Sequence, residues 1–439
     1  MKEIKKEDLE VIKEKYRKDK IATISRHALT RTKISDIVRV SEQSEFTQNN
    51  FSIDLDTLPV ADQKASGRCW IFAGCNILRE KVAKKYNLDK FELSQNYVAF
   101  YDKLEKCNYF MESVISLIDK DIDDRTLSFI LERGIEDGGQ WDMFVNIIEK
   151  YGAVPKAVFP ETYQSSNTAE VDNLLNRYLR KFCFQIRELG SDQDKIEALK
   201  MKSIKEIYQI LCSCFGIPTD KFSFEYTDKD KNYNIMKDIT PKQYVEDFIS
   251  LDLNCYQSII NSPTRDKPFN ELYTIKYLGN VIEGKKITHL NIPMDRFKEL
   301  VLLQLTDKEP VWFGSDSSKY GDRESGLWDD LSYNEGELFQ IDLDMPKEQI
   351  LDMRESAMNH AMVITGVNVD NDKPTKWKIQ NSWGDQTANK GYFIATDSWF
   401  EKYVYQAVIN KKYLTEEELR ILEKKPIELE PWDPMGTLA

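Results

Sequence analysis

The chain has 439 residues and a formal net charge of -13, with 41% hydrophobic and 31% charged residues. This composition is that of an ordinary globular protein, and the acidic balance disfavours a simple nucleic-acid-binding surface, which requires positive charge. No apolar run approaches the roughly 20 residues that a membrane-spanning helix needs, and the seven cysteines, odd in number and thinly spread, argue against a disulfide scaffold and for a reducing compartment.

The N-terminal region predicts a surface helix followed by an extended arm. Residues 7–16 carry the apolar side chains Leu9, Ile12 and Tyr16 among lysines and glutamates, which is typical of an amphipathic helix. Residues 21–53 are polar with scattered apolar positions, and we expect them to be extended. The start of the chain is charged and has no apolar signal-peptide core, so we expect no export and a cytoplasmic protein.

The stretch QKASGRCW, residues 63–70, leads directly into an apolar run that predicts a helix. Cys69 would therefore lie at a helix N-terminus. Backbone N–H groups and the helix dipole favour an anion there, so we expect the thiol to ionise well below its usual pKa of about 8.5 and to act as a nucleophile. The alternative is a buried structural cysteine, because free cysteine is among the most buried residue types.

Helical patterns dominate the following part of the chain. Ser94 is a predicted helix cap, and an amphipathic helix containing Leu127 and Ile130 ends before Gly138 and Gly139. These paired glycines either allow another backbone to approach closely or form a simple helix C-cap and turn. From about residue 164 to 283 the helical patterns are long, as in 171–182 and 196–215, and this stretch has the character of an inserted helical module.

The region from 287 to 400 predicts strands, and it supplies a base for the cysteine. The chain contains three histidines: His27, His289 and His360. Only His360 opens a β-rich run that a turn near Asn371 connects to a second strand, which ends at Asn381. A hairpin about this turn brings His360 and Asn381 together, so the amide oxygen can accept from one imidazole nitrogen while the other faces Cys69.

The C-terminal part predicts a charged helix opened by a capping box at Thr415, followed by an unusual terminus. Residues 431–439 contain a tryptophan and two prolines and are almost uncharged, although a chain terminus is usually frayed and solvated. No Cys or His spacing along the chain fits a zinc site, so we expect no metal and no cofactor.

These features lie within stretches that resemble one known family. The stretches are QKASGRCWIFAG (63–74), FELSQNYVAFYDKLEKCNYFME (91–112), DGGQWDMFVNIIEKYGAVPK (137–156), PVWFGSD (310–316), MNHAMVITGV (358–367), QNSWG (380–384) and PWDPMGTLA (431–439). In this order they resemble the aminopeptidase C and bleomycin hydrolase family of papain-like cysteine peptidases. The ordered set is more specific than a Cys-His-Asn order alone.

The resemblance implies a fold and a division of the chain. The fold is α+β and papain-like, with a helical half that carries the nucleophile, a β-barrel half that carries His and Asn, and a large, mainly helical insertion. The expected division is residues 1–60 for the N-terminal helix and arm, 61–163 for the helical half, 164–285 for the insertion, 286–410 for the barrel half and 411–439 for the C-terminal helix and tail. The family also implies a ring-shaped homohexamer.

The resemblance also implies roles for particular residues. Gln63 and the backbone N–H of Cys69 would stabilise the oxyanion, and Gly138 and Gly139 would contact the extended substrate. Independently of the resemblance, Trp383 is placed two residues past Asn381, where it would cover the Asn-His contact, or it is simply a core aromatic residue. The tail would lie in the cleft, with the carboxylate of Ala439 facing the free amine of a peptide.

Together these features predict a cytoplasmic cysteine aminopeptidase that hydrolyses N-terminal residues from peptides with a thiolate-imidazolium pair. Two alternatives are a cysteine endopeptidase or amide hydrolase with a disordered tail, and a ring-shaped nucleic-acid-binding or protein-binding assembly. The acidic balance disfavours the nucleic-acid alternative.

Overall fold

The structure of the protein is a computed structural model that describes residues 1–40 and 48–438. The α-helices are α1 (Lys6–Lys18), α2 (Lys20–Leu29), α3 (Ile34–Val38), α4 (Cys69–Tyr86), α5 (Gln95–Ser116), α6 (Arg125–Arg133), α7 (Trp141–Tyr151), α8 (Tyr163–Ser166), α9 (Ala169–Leu189), α10 (Gln193–Phe215), α11 (Pro241–Gln243), α12 (Met294–Thr306), α13 (Glu335–Phe339), α14 (Lys347–Asp352), α15 (Asp397–Tyr403) and α16 (Glu416–Leu422). Among the helices in these ranges, none is both long and apolar enough to cross a membrane.

The strands form one large mixed sheet and one separate hairpin. They are β1 (Ile53–Asp54), β2 (Phe222–Thr227), β3 (Tyr233–Ile239), β4 (Tyr256–Ile260), β5 (Glu271–Ile275), β6 (His289–Asn291), β7 (Val311–Ser315), β8 (Gly321–Asp322), β9 (Leu327–Trp328), β10 (His360–Asp370), β11 (Lys373–Gln380), β12 (Tyr392–Thr396), β13 (Val404–Asn410) and β14 (Ile427–Leu429). The large sheet has the order β14-β5-β6-β4-β13-β7-β10-β11-β12-β9-β8, with β1 on β10, and β2 pairs with β3 alone.

Helix α4 is the centre of the helical half. Its first turn is buried on every side, including Trp70, Ile71 and Phe72, because the sequence there is apolar all round rather than on one stripe. The helix ends at Asn87, which adopts the left-handed conformation with φ 53° and donates its backbone N–H to Ala83. The predicted helix after Cys69 is confirmed, and so is the cap at Ser94, whose side chain accepts from the backbone N–H of Tyr97.

The hairpin of β10 and β11 is the centre of the sheet half. The two strands are antiparallel, and the turn residues Asn371 and Asp372 both have positive φ, as a tight two-residue hairpin turn requires. Strand β10 also pairs with β7, which sets His360 opposite Ser315. The predicted hairpin is confirmed, and it places His360 at the start of one strand and Asn381 just past the end of the other.

The N-terminal region differs in part from the expectation. Helix α1 confirms the predicted surface helix, but residues 20–38 form α2 and α3 rather than an extended arm. Asp19 caps α2 through the backbone N–H of Ala22, and its carboxylate also accepts from Gln340 beside α13. The cap at Asp19 and its contact with Gln340 therefore stabilise α2, although the apolar pattern of this segment is weak. Residues 41–47 of the predicted arm lie outside the described residues.

The long helices of the stretch 164–285 lie in its first part, and its later part combines strands with short helical segments such as α11. Helices α9 and α10 confirm the predicted patterns, and the separate hairpin of β2 and β3 follows them. Strands β4 and β5, within the same stretch, pair in the large sheet, where β4 joins β13 and β6. The short apolar runs of β4 and β5 are buried in the sheet, where both strands pair with β6, and β4 also pairs with β13 and β5 with β14.

The C-terminal segment is packed against the protein as far as the structure describes it. Helix α16 has the predicted capping box of Thr415 and Glu418. Beyond β14 the chain buries Met435 and Leu438, which are 0% and 4% exposed. Most of residues 431–438 are therefore buried against the protein and are not frayed, although Trp432 is half-buried and Thr437 is exposed.

Candidate active site

Cys69 lies at the interface between the helical half and the sheet half. It is the first residue of α4, is 4% exposed, and its Sγ accepts the backbone N–H of Ala361 at 3.4 Å. Ala361 directly follows His360 in β10. Packing of α4 against β10 thus brings together Cys69 and His360, which are 291 positions apart in the chain, and the sulfur contacts the residue next to the predicted base.

The hydrogen bonds of Asn381 fix which nitrogen of His360 carries the proton. The Oδ1 atom of Asn381 accepts the backbone N–H of Ser382 at 2.8 Å, so this atom is an acceptor. The same oxygen lies 2.8 Å from Nε2 of His360, and Nε2 must therefore be the donor. In the neutral ring Nδ1 is then unprotonated and free to accept a proton, as a general base requires.

Trp383 covers one face of His360. The two rings stack with centroids 4.9 Å apart and an angle of 28° between their planes, while the guanidinium of Arg323 lies 4.1 Å from the ring centroid of Trp383. Trp383 also contacts Phe393 and Trp328 in the sheet. It is therefore both a cover for the imidazole and a member of an aromatic cluster, so both predicted roles are compatible with its place.

Gln63 links the nucleophile loop to the segment that carries Asn381. Its Nε2 donates to the carbonyl oxygen of Ser66, its Oε1 accepts from the Ser382 hydroxyl, and its backbone N–H donates to the Ser382 carbonyl at 2.8 Å. The amide group has two N–H donors, and Ser66 takes one of them. The side chain is 6% exposed and is held from both ends, as a fixed oxyanion donor requires.

Burial governs the protonation of the two candidate groups. Burial raises the pKa of the Cys69 thiol to about 11, although the backbone N–H groups of Ala361 and Trp70 lower it. Burial also lowers the pKa of His360 to about 4, against the hydrogen bond to Asn381. The expectation that the helix N-terminus brings the thiol well below its usual pKa is therefore wrong for the thiol on its own, because the cost of burying a lone anion exceeds the gain from the backbone dipoles.

Gly138 and Gly139 lie between α6 and α7, next to the first residue after the nucleophile. Trp70 donates its indole N–H to the carbonyl of Asp137 at 2.7 Å. A side chain added at Gly139 would come within 2.4 Å of the Trp70 ring, so only glycine allows this close approach. The paired glycines thus form a wall beside the nucleophile and not a free surface turn.

The C-terminal tail approaches the same place from the sheet side. A side chain added at Gly314 in β7 would meet Met358 and Leu438 at 3.0 and 3.3 Å, and the Thr437 hydroxyl donates to the carbonyl of Met358 at 2.8 Å. Gly314 precedes the residue that pairs with His360. The tail therefore runs to within a few residues of the candidate base, but Ala439, the predicted anchor for the substrate amine, lies outside the described residues.

The other histidines lie apart from this site. His27 is exposed on α2. His289 is buried in β6, where its Nδ1 lies 2.8 Å from the Ser258 hydroxyl, and burial lowers its pKa to about 4. All seven cysteines are free, and among residues 1–40 and 48–438 no group of three or more His, Cys, Asp and Glu side chains could hold a metal ion.

Two contacts of the site were absent from the sequence analysis. Ala361 supplies the backbone donor to the sulfur, and Ser382 fixes the Asn381 amide while its hydroxyl holds Gln63. Both residues directly follow residues that the analysis did select, His360 and Asn381. Their place directly after a candidate catalytic residue at the end of a strand could therefore have indicated that these two residues contact the site.

Comparison with known proteins finds similar sequences over most of the chain. Residues 3–436 match a family model described as the peptidase C1-like family. The chain is 49% identical over 395 residues to the aminopeptidase C of Lactobacillus delbrueckii subsp. lactis, covering 89% of this chain and 88% of that protein. It is 40% identical over 392 residues to the bleomycin hydrolase of Homo sapiens, covering 87% of this chain and 86% of that protein.

A solved structure agrees over the whole length. The crystal structure of PepW from Lactobacillus rhamnosis HN001 superposes with a TM-score of 0.97 at 45% identity, covering 100% of this chain and 99% of that one. Helices on one side and a mixed sheet on the other confirm the expected α+β, papain-like fold.

Proposed function

The chain belongs to the peptidase C1-like family, and on that premise we propose that this cysteine aminopeptidase removes residues from the free N-terminus of peptides through a covalent acyl-enzyme. The observation that carries the proposal is the hydrogen bond of Asn381 to Nε2 of His360, beside a sulfur that contacts Ala361. It leaves Nδ1 of His360 unprotonated, and we infer that this nitrogen takes the proton of Cys69, whose sulfur contacts the next residue of the strand.

The proposed reaction begins with a proton transfer within the pair. Cys69 gives its proton to Nδ1 of His360, and the thiolate attacks the first peptide carbonyl to form an S–C bond. Burial disfavours either charge alone, but the transfer creates the two opposite charges side by side, so neither is left unpaired. The imidazolium then protonates the leaving amine as the C–N bond breaks.

Hydrolysis of the thioester completes the cycle. A water molecule gives a proton to His360, attacks the acyl carbon, and releases the amino acid while Cys69 recovers its proton. The negative oxygen in both steps would be stabilised by Gln63 and the backbone N–H of Cys69. The Nε2 atom of Gln63 already donates one hydrogen to the carbonyl of Ser66, so we assign its second amide hydrogen to the oxyanion.

We assign the restriction to N-terminal residues to the tail. The burial of Leu438 against Gly314 and the Thr437 contact to Met358 support a tail that fills the cleft upstream of the attacked bond. The carboxylate of Ala439 would then pair with the substrate ammonium in a partly desolvated cleft. A packed tail also disfavours the alternative of an endopeptidase with a disordered terminus.

A comparison of free and N-acetylated peptides tests this proposal. The wild-type protein should hydrolyse the free peptide and leave the acetylated one intact. Removal of Leu438 and Ala439 should weaken hydrolysis of the free peptide and permit cleavage of the acetylated one, while thermal unfolding shows that the shortened chain is folded. If the acetylated peptide stays intact and the aminopeptidase rate is unchanged, the tail has no such role. Hydrolysis of acetylated peptides by the wild-type protein would instead favour an endopeptidase.

We also propose a cytoplasmic location and a ring-shaped homohexamer. The support for both is the resemblance, with the seven free thiols in favour of a reducing compartment. Light scattering of the purified protein measures the assembly, and cell fractionation measures the location.

A further inference from the structure

Two lysines of α5 lie buried beneath the nucleophile loop, which we define as residues 63–69. Lys103 and Lys106 are 1% and 6% exposed, on the face of the helix that points toward α4 and the glycine pair. Buried ammonium groups are costly unless they are paired and hydrogen-bonded. Their partners show what they hold in place.

Lys103 holds Asp137, and Asp137 holds the nucleophile loop. The Lys103 ammonium contacts the carboxylates of Asp137 and Asp172, the first at 2.6 Å. The second oxygen of Asp137 accepts the backbone N–H of Gly67 at 2.7 Å and the hydroxyl of Thr168. Gly67 in turn has its carbonyl 4.0 Å from Sγ of Cys69. A single carboxylate therefore connects the buried lysine to a loop residue in contact with the sulfur.

Lys106 holds the backbone on the other side of the site. Its ammonium donates to the carbonyls of Glu136, at 2.9 Å, and Gly138, and it pairs with Asp102 at 2.7 Å. It also lies 5.2 Å from the centroid of the Trp70 ring. The carbonyl of Gly138 thus points toward the protein interior, and its hydrogen bond with Lys106 fixes the backbone of the Gly138–Gly139 segment.

Asp137 and Lys103 are both charged in the folded protein. Burial raises the pKa of Asp137, but the charge of Lys103 and the hydrogen bonds outweigh it and hold that pKa below its usual range. Burial lowers the pKa of Lys103, but Asp137 and Asp172 outweigh it and hold that pKa above its usual range. The contact between Asp137 and Gly67 is therefore a charge-assisted hydrogen bond, which is stronger than a neutral one.

We propose that Asp137 and Lys106 are positioning residues with separate tasks: Asp137 sets the nucleophile loop through Gly67, and Lys106 sets the substrate-facing Gly138–Gly139 segment through the Gly138 carbonyl. This inference rests on the proposed function for the role of Cys69 and on the contact with substrate that the family resemblance implies for the glycine pair. Asp137 would assist the attack on the carbonyl, and Lys106 would assist substrate binding. Substitution of Asp137 should therefore change kcat, and substitution of Lys106 should change KM.

The test compares Asp137→Ala, Asp137→Asn and Lys106→Met in the full-length protein. Asp137→Ala should lower kcat about 10- to 100-fold on a fluorogenic amino-acyl aminocoumarin amide, because a small displacement of the nucleophile has an effect of that size. It should slow alkylation of Cys69 by iodoacetamide by a similar factor, measured by mass spectrometry of the peptide that contains Cys69. Asp137→Asn keeps an oxygen that accepts from Gly67 and should recover most of both rates.

Lys106→Met should instead raise KM about tenfold and leave the alkylation rate within twofold, because it removes a charged donor from the glycine segment and not from the loop. Asp397→Asn is the matched control. Asp397 also joins a buried lysine, Lys298 at 2.8 Å, to an N–H donor, Trp377 at 3.0 Å, but it lies in the sheet half away from the site. It should leave both rates unchanged, and circular dichroism confirms folding of each variant.

Three results would overturn the inference. Asp137→Ala with wild-type kcat and alkylation rates would show that the loop does not need this carboxylate. Equal losses in Asp137→Ala and Asp397→Asn would show a general effect of a lost ion pair. A fall in alkylation rate in Lys106→Met would show that the two tasks are not separate. Because alkylation requires no peptide hydrolysis, an inactive wild-type protein would contradict the proposed function and still leave this inference measurable.

Discussion

The helical half and the sheet half hold their reactive groups by different means. In the sheet half, His360 is oriented by neutral contacts that are close in sequence: the Asn381 amide 21 residues away and the stacked ring of Trp383. In the helical half, the loop before Cys69 is held by buried charges from distant segments, since Gly67 and Asp137 are 70 residues apart. A strand pair fixes its own register, whereas a loop between elements must be fixed by its surroundings.

The contrast between neutral hydrogen bonds and buried charges predicts how each half responds to substitution. The hairpin depends on hydrogen bonds whose partners lie on adjacent strands, so changes there should act locally on the imidazole. The nucleophile side depends on buried ion pairs, and loss of one partner leaves an uncompensated charge that destabilises its neighbours. The following experiments examine this contrast, from the largest expected effect to the smallest.

Replacement of the nucleophile should have the largest effect. Cys69→Ala should lower kcat on an amino-acyl aminocoumarin amide by about 10⁶-fold, the order seen when a catalytic nucleophile is removed. Cys75→Ala is the control, because Cys75 is a buried free thiol six residues further along α4. It should keep kcat within about twofold. Substantial activity in Cys69→Ala would end the proposed function.

Removal of the orienting amide should have a smaller effect, confined to the sheet half. Asn381→Ala should lower kcat on the order of 10²- to 10³-fold, because His360 loses the acceptor that fixes its tautomer and ring position. Asn368→Ala is the control on the same hairpin, where the Asn368 amide donates to Thr375 at 3.1 Å. Equal losses of kcat in the two variants would mean that the hairpin matters only as a scaffold.

The smallest effect concerns stability and His289 in the sheet half. Burial lowers its pKa to about 4, so the unfolded chain binds more protons than the folded one between about pH 6.5 and pH 4. The stability contribution of neutral His289 is therefore lost as pH falls through this window, by about 2 kcal/mol at pH 5. Urea unfolding at pH 7 and pH 5 measures this loss.

His289→Gln should make the pH dependence shallower but not abolish it, because burial lowers the pKa of His360 to about 4 as well. The exposed His27→Gln is the control. An unaltered slope in His289→Gln would show that the ring is protonated in the folded protein or that another group dominates. Among the described residues, Nε2 of His289 has no hydrogen-bond partner. NMR titration of the ring would show directly whether it is protonated in the folded protein.

Features set by neighbouring residues were predictable from the sequence. The hairpin followed from alternating strands about an Asn-Asp turn, α4 from its apolar run, and the caps at Ser94 and Thr415 from their residue types. Residues 21–53 were less predictable because α2 depends on packing beside α13. Strands β4 and β5 were missed within a helical stretch because their pairing is not local. Both pair with β6, and each also pairs with a strand more than 140 residues later, β4 with β13 and β5 with β14.

The sequence by itself determined the identity of the reactive groups, since a cysteine before an apolar helix and a histidine and asparagine flanking one hairpin are local patterns. Only the tertiary structure decided their chemical state. Packing of α4 on β10 buries Cys69 and raises its pKa, against the local effect of the helix N-terminus, and Ser382 selects the tautomer of His360. Burial and hydrogen-bond geometry depend on which segments meet in space, and that information is not carried by the spacing of residues along the chain.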